Sequence, residues 1–225
     1  MVKVNKKYKD RLFRMVFNRK EELLSLYNAI SHSEYTNPEE LEINTLDDVI
    51  YMKMKNDLAF LIDDVLNLWE HQSTWNPNMP VRGTLYIVEE YRKYIEQNGL
   101  NLYGSRLITL PIPQFYVFYN GLKEEPDYIE LKLSDAFSRV HSELEPCMEF
   151  KAIMMNINRG HNEGLMKQCS TLREYAEFVA RIREWLKAGA DLLEAIGEVI
   201  DSCIRDGILA EFLSSHRAEV FEVLL

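Results

Sequence analysis

The chain has 225 residues, 47% of them apolar and 28% charged, with a formal net charge of −10. That is the length and apolar content of one ordinary domain, or of one domain with a helical extension, and it excludes wholesale disorder. The acidic balance excludes a sequence-independent DNA coat, while no apolar run approaches the ~18 residues that cross a bilayer.

In chain order, the opening reads as helix: Leu12, Phe13, Val16 and Phe17, then Leu23, Leu24, Tyr27 and Ile30, recur at helical spacing, with Asn18 as an interruption. Residues 31–48 are polar, contain Asn37-Pro38, and read as a loop. Three short apolar runs follow, Val49 to Met54, Asp57 to Ile62 and Val65 to His71, and Asp63-Asp64 joins the last two as a tight hairpin. After a loop at Ser73–Met79, Pro80 opens a helix that runs to about Gln97 and stops at Asn98-Gly99.

Pro113–Tyr119 is aromatic and β-branched and reads as a strand closed by Asn120-Gly121. Tyr128–Leu133 and Met148–Ile157 read as two more. Beyond Asn162 the pattern turns helical. Thr171 with Glu174 has the spacing of a capping box. Leu172, Tyr175, Phe178, Val179, Ile182, Trp185 and Leu186 form the stripe expected to be buried. A second helix covers Asp191–Asp206 up to Gly207, and Ile208–Ser215 and Ala218–Leu225 are short helical pieces. The order predicts an α/β core over residues 1–160 and a helical C-terminal lobe over residues 161–225.

Cysteines at 147, 169 and 203 are odd in number and lack C-x-x-C spacing. They point to reduced thiols in a cytoplasmic protein, not to a disulfide framework or a zinc finger. No apolar signal core follows the basic start, so export is not expected. Charge is uneven: residues 1–20 hold eight Lys/Arg, including Lys9 and Arg11, against the single acid Asp10, whereas residues 121–225 hold 12 basic and 20 acidic residues. The basic end suits either local phosphate contact or simple solvation.

The chemistry-bearing stretch runs from Asp57 to Gln72. Residues i and i+2 of a strand share a face at roughly 6–7 Å, so Glu70 and Gln72 point together. A turn centred on Asp63-Asp64 sets Asp57 opposite Glu70. Like charges directly opposite are unfavourable, and a divalent cation between them removes the repulsion in the way Mg²⁺ is held by paired carboxylates. Such an ion can activate water and polarise a phosphodiester. The plainer reading makes both acids solvated strand ends. Arg82 and Tyr86 lie one helical turn apart, where a guanidinium serves as a phosphate clamp or a surface ion pair. His71 points to the other face and reads as packing. Asn156, Asn158, His161 and Asn162 suit helix capping more than DNA contact, and Trp69, Phe115, Tyr116, Phe118 and Tyr119 suit the core.

The blocks YKDRLFR (Tyr8–Arg14), KNDLAFL (Lys55–Leu61), EHQSTWNPNMPVRG (Glu70–Gly83), FYVFYNG (Phe115–Gly121), LKLSDAF (Leu131–Phe137), NINRGHN (Asn156–Asn162) and CIRDGILAEFL (Cys203–Leu213) resemble those of the recombination-promoting nuclease (Rpn) family. That family of often transposase-labelled proteins sits in the PD-(D/E)XK nuclease superfamily. The resemblance covers nearly the whole chain. It implies a PD-(D/E)XK-like mixed sheet flanked by helices and a Mg²⁺- or Mn²⁺-dependent DNA endonuclease linked to recombination or mobile elements.

By position, Asp57 and Glu70 are then the metal ligands, and Gln72 replaces the superfamily's usual lysine without its charge. Asp10 completes the site, or else is a helix-start acid favoured by the macrodipole. Arg82, Lys9 and Arg11 would contact DNA phosphates. The expected partners are DNA and a second copy of the chain as a homodimer, with no membrane. Two rival classes remain: a catalytically inactive binding or regulatory protein on the same fold, acting with a longer nuclease, and a helical interaction module in residues 162–225.

Overall fold

The computed structural model describes residues 8–43, 58–141, 143–187 and 192–224. Its opening helices are α1 (Tyr8–Phe17) and α2 (Lys20–Ser31), broken at Asn18-Arg19. Leu12, Phe13, Val16, Phe17, Leu23, Leu24 and Tyr27 are all buried, as their spacing requires. His32 ends α2 in the left-handed region (φ 54°), and its N–H donates to the Asn28 carbonyl.

The predicted hairpin forms from β2 (Leu58–Ile62) and β3 (Val65–Gln72), paired antiparallel from Leu58–Trp69 to Ile62–Val65. Asp63 and Asp64 both take positive φ (46° and 60°). A two-residue hairpin loop of this hand demands that conformation, and aspartate's short polar side chain tolerates it better than most. A two-residue strand, β1 (Glu42–Ile43), pairs with the outer edge of β2 inside the segment read as loop. The strand expected over Val49–Met54, and Asp57 itself, lie outside the described residues.

From β3 the chain crosses over through α3 (Met79–Gln97) to β4 (Ile112–Tyr119), which runs parallel to β3. Strand β6 (Lys151–Asn156) is parallel to β4, and β5 (Tyr128–Lys132) closes that edge antiparallel to β6. The sheet order is β1-β2-β3-β4-β6-β5. Strand β6 starts later than its apolar run suggests. Its partner β5 ends where Lys132 meets Lys151, and Glu149 is drawn off to accept from the Ser134 N–H and hydroxyl.

Each face of this mixed sheet carries helices. On one, α3 packs Met79, Tyr86 and Ile87 against Leu66, Leu68, Phe115, Val117 and Met154. Gly83 permits the close approach, because a Cβ there would meet the Phe115 and Phe150 rings at 2.5 and 2.6 Å. The opposite face, bearing Phe60, Trp69 and Phe118, is covered by α1, α2 and the C-terminal helices α4 (Glu163–Gln168), α5 (Ser170–Lys187), α6 (Leu192–Arg205), α7 (Ala210–Ser215) and α8 (Arg217–Leu224). One buried cluster runs from Tyr8 to Leu224, so the C-terminal helices share the core of the sheet. Among the described residues, no helix is long and apolar enough to cross a membrane.

Two local expectations are corrected. No capping box forms at Thr171: α5 begins at Ser170 behind α4, the Thr171 hydroxyl donates to Glu22, and Glu174 accepts from the Leu209 N–H at 2.8 Å. Trp185 is 36% exposed, because the buried stripe of α5 ends near Ile182.

Candidate functional site at the carboxyl end of the parallel strands

Strand β3 alternates as predicted. Leu66, Leu68, Glu70 and Gln72 follow one face, toward α3, while Trp69 and His71 follow the other. Glu70 is only 3% exposed. Arg82, in the first turns of α3, reaches it with Nη2 donating to Oε2 at 3.2 Å. The same guanidinium donates through Nε and Nη2 to the Tyr86 hydroxyl at 3.1 and 2.7 Å. With the Gln72 amide oriented to satisfy its neighbours, its oxygen accepts from Arg82 Nη1 at 2.9 Å and its nitrogen donates to the Thr74 carbonyl at 3.2 Å. Arg82 and Tyr86 do share a face. The ion pair they serve is a partly buried one, directed at the strand carboxylate that the sequence singles out. A buried carboxylate needs such a partner, since desolvation penalises its charged form. Arg82 supplies positive charge where the sequence argument sought a metal ion.

On the other face, His71 is fully enclosed. Its Nδ1 lies 2.8 Å from Asp10 Oδ1, and its Nε2 lies 3.0 Å from the Tyr175 hydroxyl. Burial pushes the imidazole below its usual range, with the Asp10 hydrogen bond working against that shift. His71 also stacks obliquely on Phe13 at 5.2 Å. The structure thus places Asp10 beside His71, as the acceptor that fixes the ring in the core. His71 is a packing residue, as its position on β3 suggests.

Lys9 and Arg183 meet at the carboxyl ends of β3, β4 and β6. Lys9 is only 7% exposed, and its Nζ donates to the Asn120 carbonyl at 3.0 Å. Arg183 Nη2 donates to the same carbonyl at 2.5 Å and to Asn120 Oδ1 at 2.6 Å, while Nη1 donates to Asn158 Oδ1 at 2.6 Å. Burial, reinforced by the Arg183 charge, brings Lys9 down to about 8. Burial also lowers Arg183. Burial raises the Tyr8 phenol beside them to about 12, with Arg183 opposing.

Arg11, expected to work with Lys9, is exposed on α1. Arg183 was missed by the sequence reading, though a signal existed. It lies four residues after Val179 and eight after Tyr175, so a cation interrupts the buried stripe of α5. Lys9 interrupts the stripe of α1 in the same way, four residues before Phe13.

The asparagine-rich segment knits loops and does not cap. Asn156 donates to the Glu125 carbonyl at 2.6 Å and accepts from Asn158. Asn162 sits at the start of α4 without a side-chain capping bond and donates instead to the Asp127 and Asn156 carbonyls. His161 Nδ1 pairs with Asp127 at 2.7 Å. Trp69, Phe115, Phe118 and Tyr119 are buried, in keeping with core packing.

Among the described residues, no three His, Cys, Asp or Glu side chains gather around one point. The Glu70 carboxylate and the Gln72 amide oxygen both accept from the Arg82 guanidinium. Hard oxygen ligands of this type suit Mg²⁺ or Mn²⁺ chemically. Comparison of the chain with protein-family models, with curated proteins and with solved structures finds no match.

Proposed function

We propose that this protein is a Mg²⁺-dependent DNA endonuclease of PD-(D/E)XK type. The observation that carries the reading is the pairing of Glu70 with Gln72 on one face at the carboxyl end of β3, beside a hairpin in the predicted register. Two features support it. The chain resembles the Rpn family in its sequence blocks, and its six-stranded mixed sheet flanked by helices agrees with the coarse architecture that resemblance implies. Carboxyl ends of parallel strands are also where open α/β sheets place ligands.

In this reading Glu70 and Asp57 would hold the cation, whose chemistry when bound would be to lower the pKa of water and offset charge on the phosphoryl oxygens. Gln72 orients the attacking water or a phosphate oxygen through its amide. Arg82 holds the Glu70 carboxylate in position, and Arg11 meets the DNA backbone. Cleavage needs no covalent protein intermediate: water attacks phosphorus and the sugar oxygen leaves.

A second reading, a catalytically inactive binding or regulatory protein, is favoured by the Arg82–Glu70 bridge, which neutralises the carboxylate without an ion. Plasmid nicking separates the two. Wild type should nick with Mg²⁺ or Mn²⁺ and not with Ca²⁺, and Glu70→Ala and Asp57→Ala should each lower the rate at least 100-fold while keeping the thermal transition. Wild type without metal-dependent nicking on supercoiled, linear or single-stranded DNA leaves the second reading standing.

A further inference from the structure

Lys9 and Arg183 pose a problem that the nuclease reading does not solve. They approach one carbonyl oxygen from α1 and α5, two elements far apart in sequence, Lys9 buried and Arg183 half-buried. The groups they bond, the Asn120 carbonyl and amide oxygens and the Asn158 amide oxygen, are neutral. Other titratable groups close in from every side: Tyr8 and Asp10 on α1, His71 on β3, Tyr119 on β4 and Tyr175 on α5.

Of these only Asp10 is a carboxylic acid, and its Oδ1 is bonded to His71. Arg183 Nε is buried without an acceptor. Two cations against one engaged carboxylate leave the cluster with an excess of positive charge in a poorly solvated place, an arrangement that like-charge repulsion disfavours. Asn158 and Arg183 are half-exposed, so the cluster has a route to solvent.

We propose that the carboxyl ends of β3, β4 and β6 form a binding site for a phosphate group, held by Lys9 and Arg183 between α1 and α5. A dianionic, tetrahedral group matches the excess charge, and the Arg183 Nε–H, which has no acceptor, supplies a directed donor to it beside the Lys9 ammonium. Asn120 and Asn158 form the floor that orients the guanidinium. The phosphate can be a terminal monoester, as in a nucleotide or free phosphate, or a diester within a nucleic-acid strand. The site does not depend on metal-assisted cleavage at Glu70.

The test titrates the full chain at pH 7 and constant ionic strength with inorganic phosphate, thymidine 5′-monophosphate and the dinucleotide d(TpT), following thermal stability and the Arg183 Nε–H resonance. Chloride is the control. At least one of the three should raise Tm by several degrees at 10 mM and shift the Nε–H signal, which Arg183→Lys serves to assign. Arg183→Gln and Lys9→Met should each weaken binding at least tenfold, and Arg183→Lys less, whereas Glu70→Ala should leave it unchanged even though it stops nicking.

Preference for the monophosphate over d(TpT) identifies a monoester site, and the reverse a strand-binding one. No stabilisation by any of the three, or stabilisation with an unmoved Arg183 Nε–H, overturns the proposal. Because stabilisation by the three phosphate ligands is read on the wild-type chain, that result stands even if a variant fails to fold.

Discussion

At the residue scale, Glu90 carries the clearest consequence. It lies on α3, 3% exposed, with Lys93 Nζ 3.7 Å away, and burial, only partly offset by that ammonium, raises it to about 7. Between pH 4.5 and about 7 the folded chain therefore binds more protons here than the unfolded chain does. The stability tied to the neutral carboxyl is complete below pH 4.5 and is lost as pH climbs through about 7. Glu90→Gln should add about 1–3 kcal/mol at pH 8 and almost nothing at pH 4.5, measured by urea unfolding at both values. An equal gain at both would assign the effect to packing.

His71 works in the opposite sense. Its lowered pKa costs stability as pH falls below the unfolded value near 6.5. Neither shift was legible in the sequence. His71 reads as packing and Glu90 as one acid of a charged helix, but the surrounding burial and partners that set each penalty are fixed only in the fold.

At the scale of elements, the turn and register of the β2–β3 hairpin match the sequence reading, with β3 running one residue further to Gln72, because turn chemistry and strand alternation are local properties. The two aspartates still occupy a backbone region that suits glycine better. Asp64→Gly should stabilise the chain by about 0.5–1 kcal/mol, and Asp64→Val should destabilise it by more than about 1 kcal/mol, as read from denaturant midpoints. Asp63 is the less suitable target, since its carboxylate accepts from the Tyr35 hydroxyl at 2.8 Å.

The helix α5 shows where local reading fails. Thr171 and Glu174 have capping-box spacing, yet each is bound to a distant partner, Glu22 and Leu209 respectively. Leu209 takes a left-handed conformation (φ 46°) that its sequence gives no reason to expect. The Glu174 bond to its N–H and the burial of its side chain offset the strain.

For the whole molecule, the boundary near residue 160 separates sheet from helices but does not separate two cores. Leu172, Tyr175, Phe178 and Ile182 are buried in one cluster with Phe13, Phe17, Trp69 and Phe118. A chain ending at residue 160 leaves that face of the sheet covered by α1 and α2 alone, so it should show no cooperative thermal transition and should bind a hydrophobic dye. The full chain should unfold in a single transition seen alike by circular dichroism and tryptophan fluorescence. A cooperative, dye-free fragment would show that the sheet and α1–α3 suffice.

The sequence by itself determined most of the described elements and their kinds, though not β1, together with the faces of β3 on which Glu70, His71 and Gln72 point and the hairpin register, since each depends on neighbours within a few residues. Tertiary structure alone decided which groups meet. Arg82 was recognised as one turn from Tyr86, but its bond to Glu70 depends on the angle at which α3 crosses the sheet. Lys9 and Arg183 lie more than a hundred residues apart and share a carbonyl only because the fold brings α1 to α5, where Tyr175 meets the Lys9 carbonyl and the Phe13 and Phe17 rings. Charge and desolvation act through space, so their balance is set by the packing of the chain and not by its order.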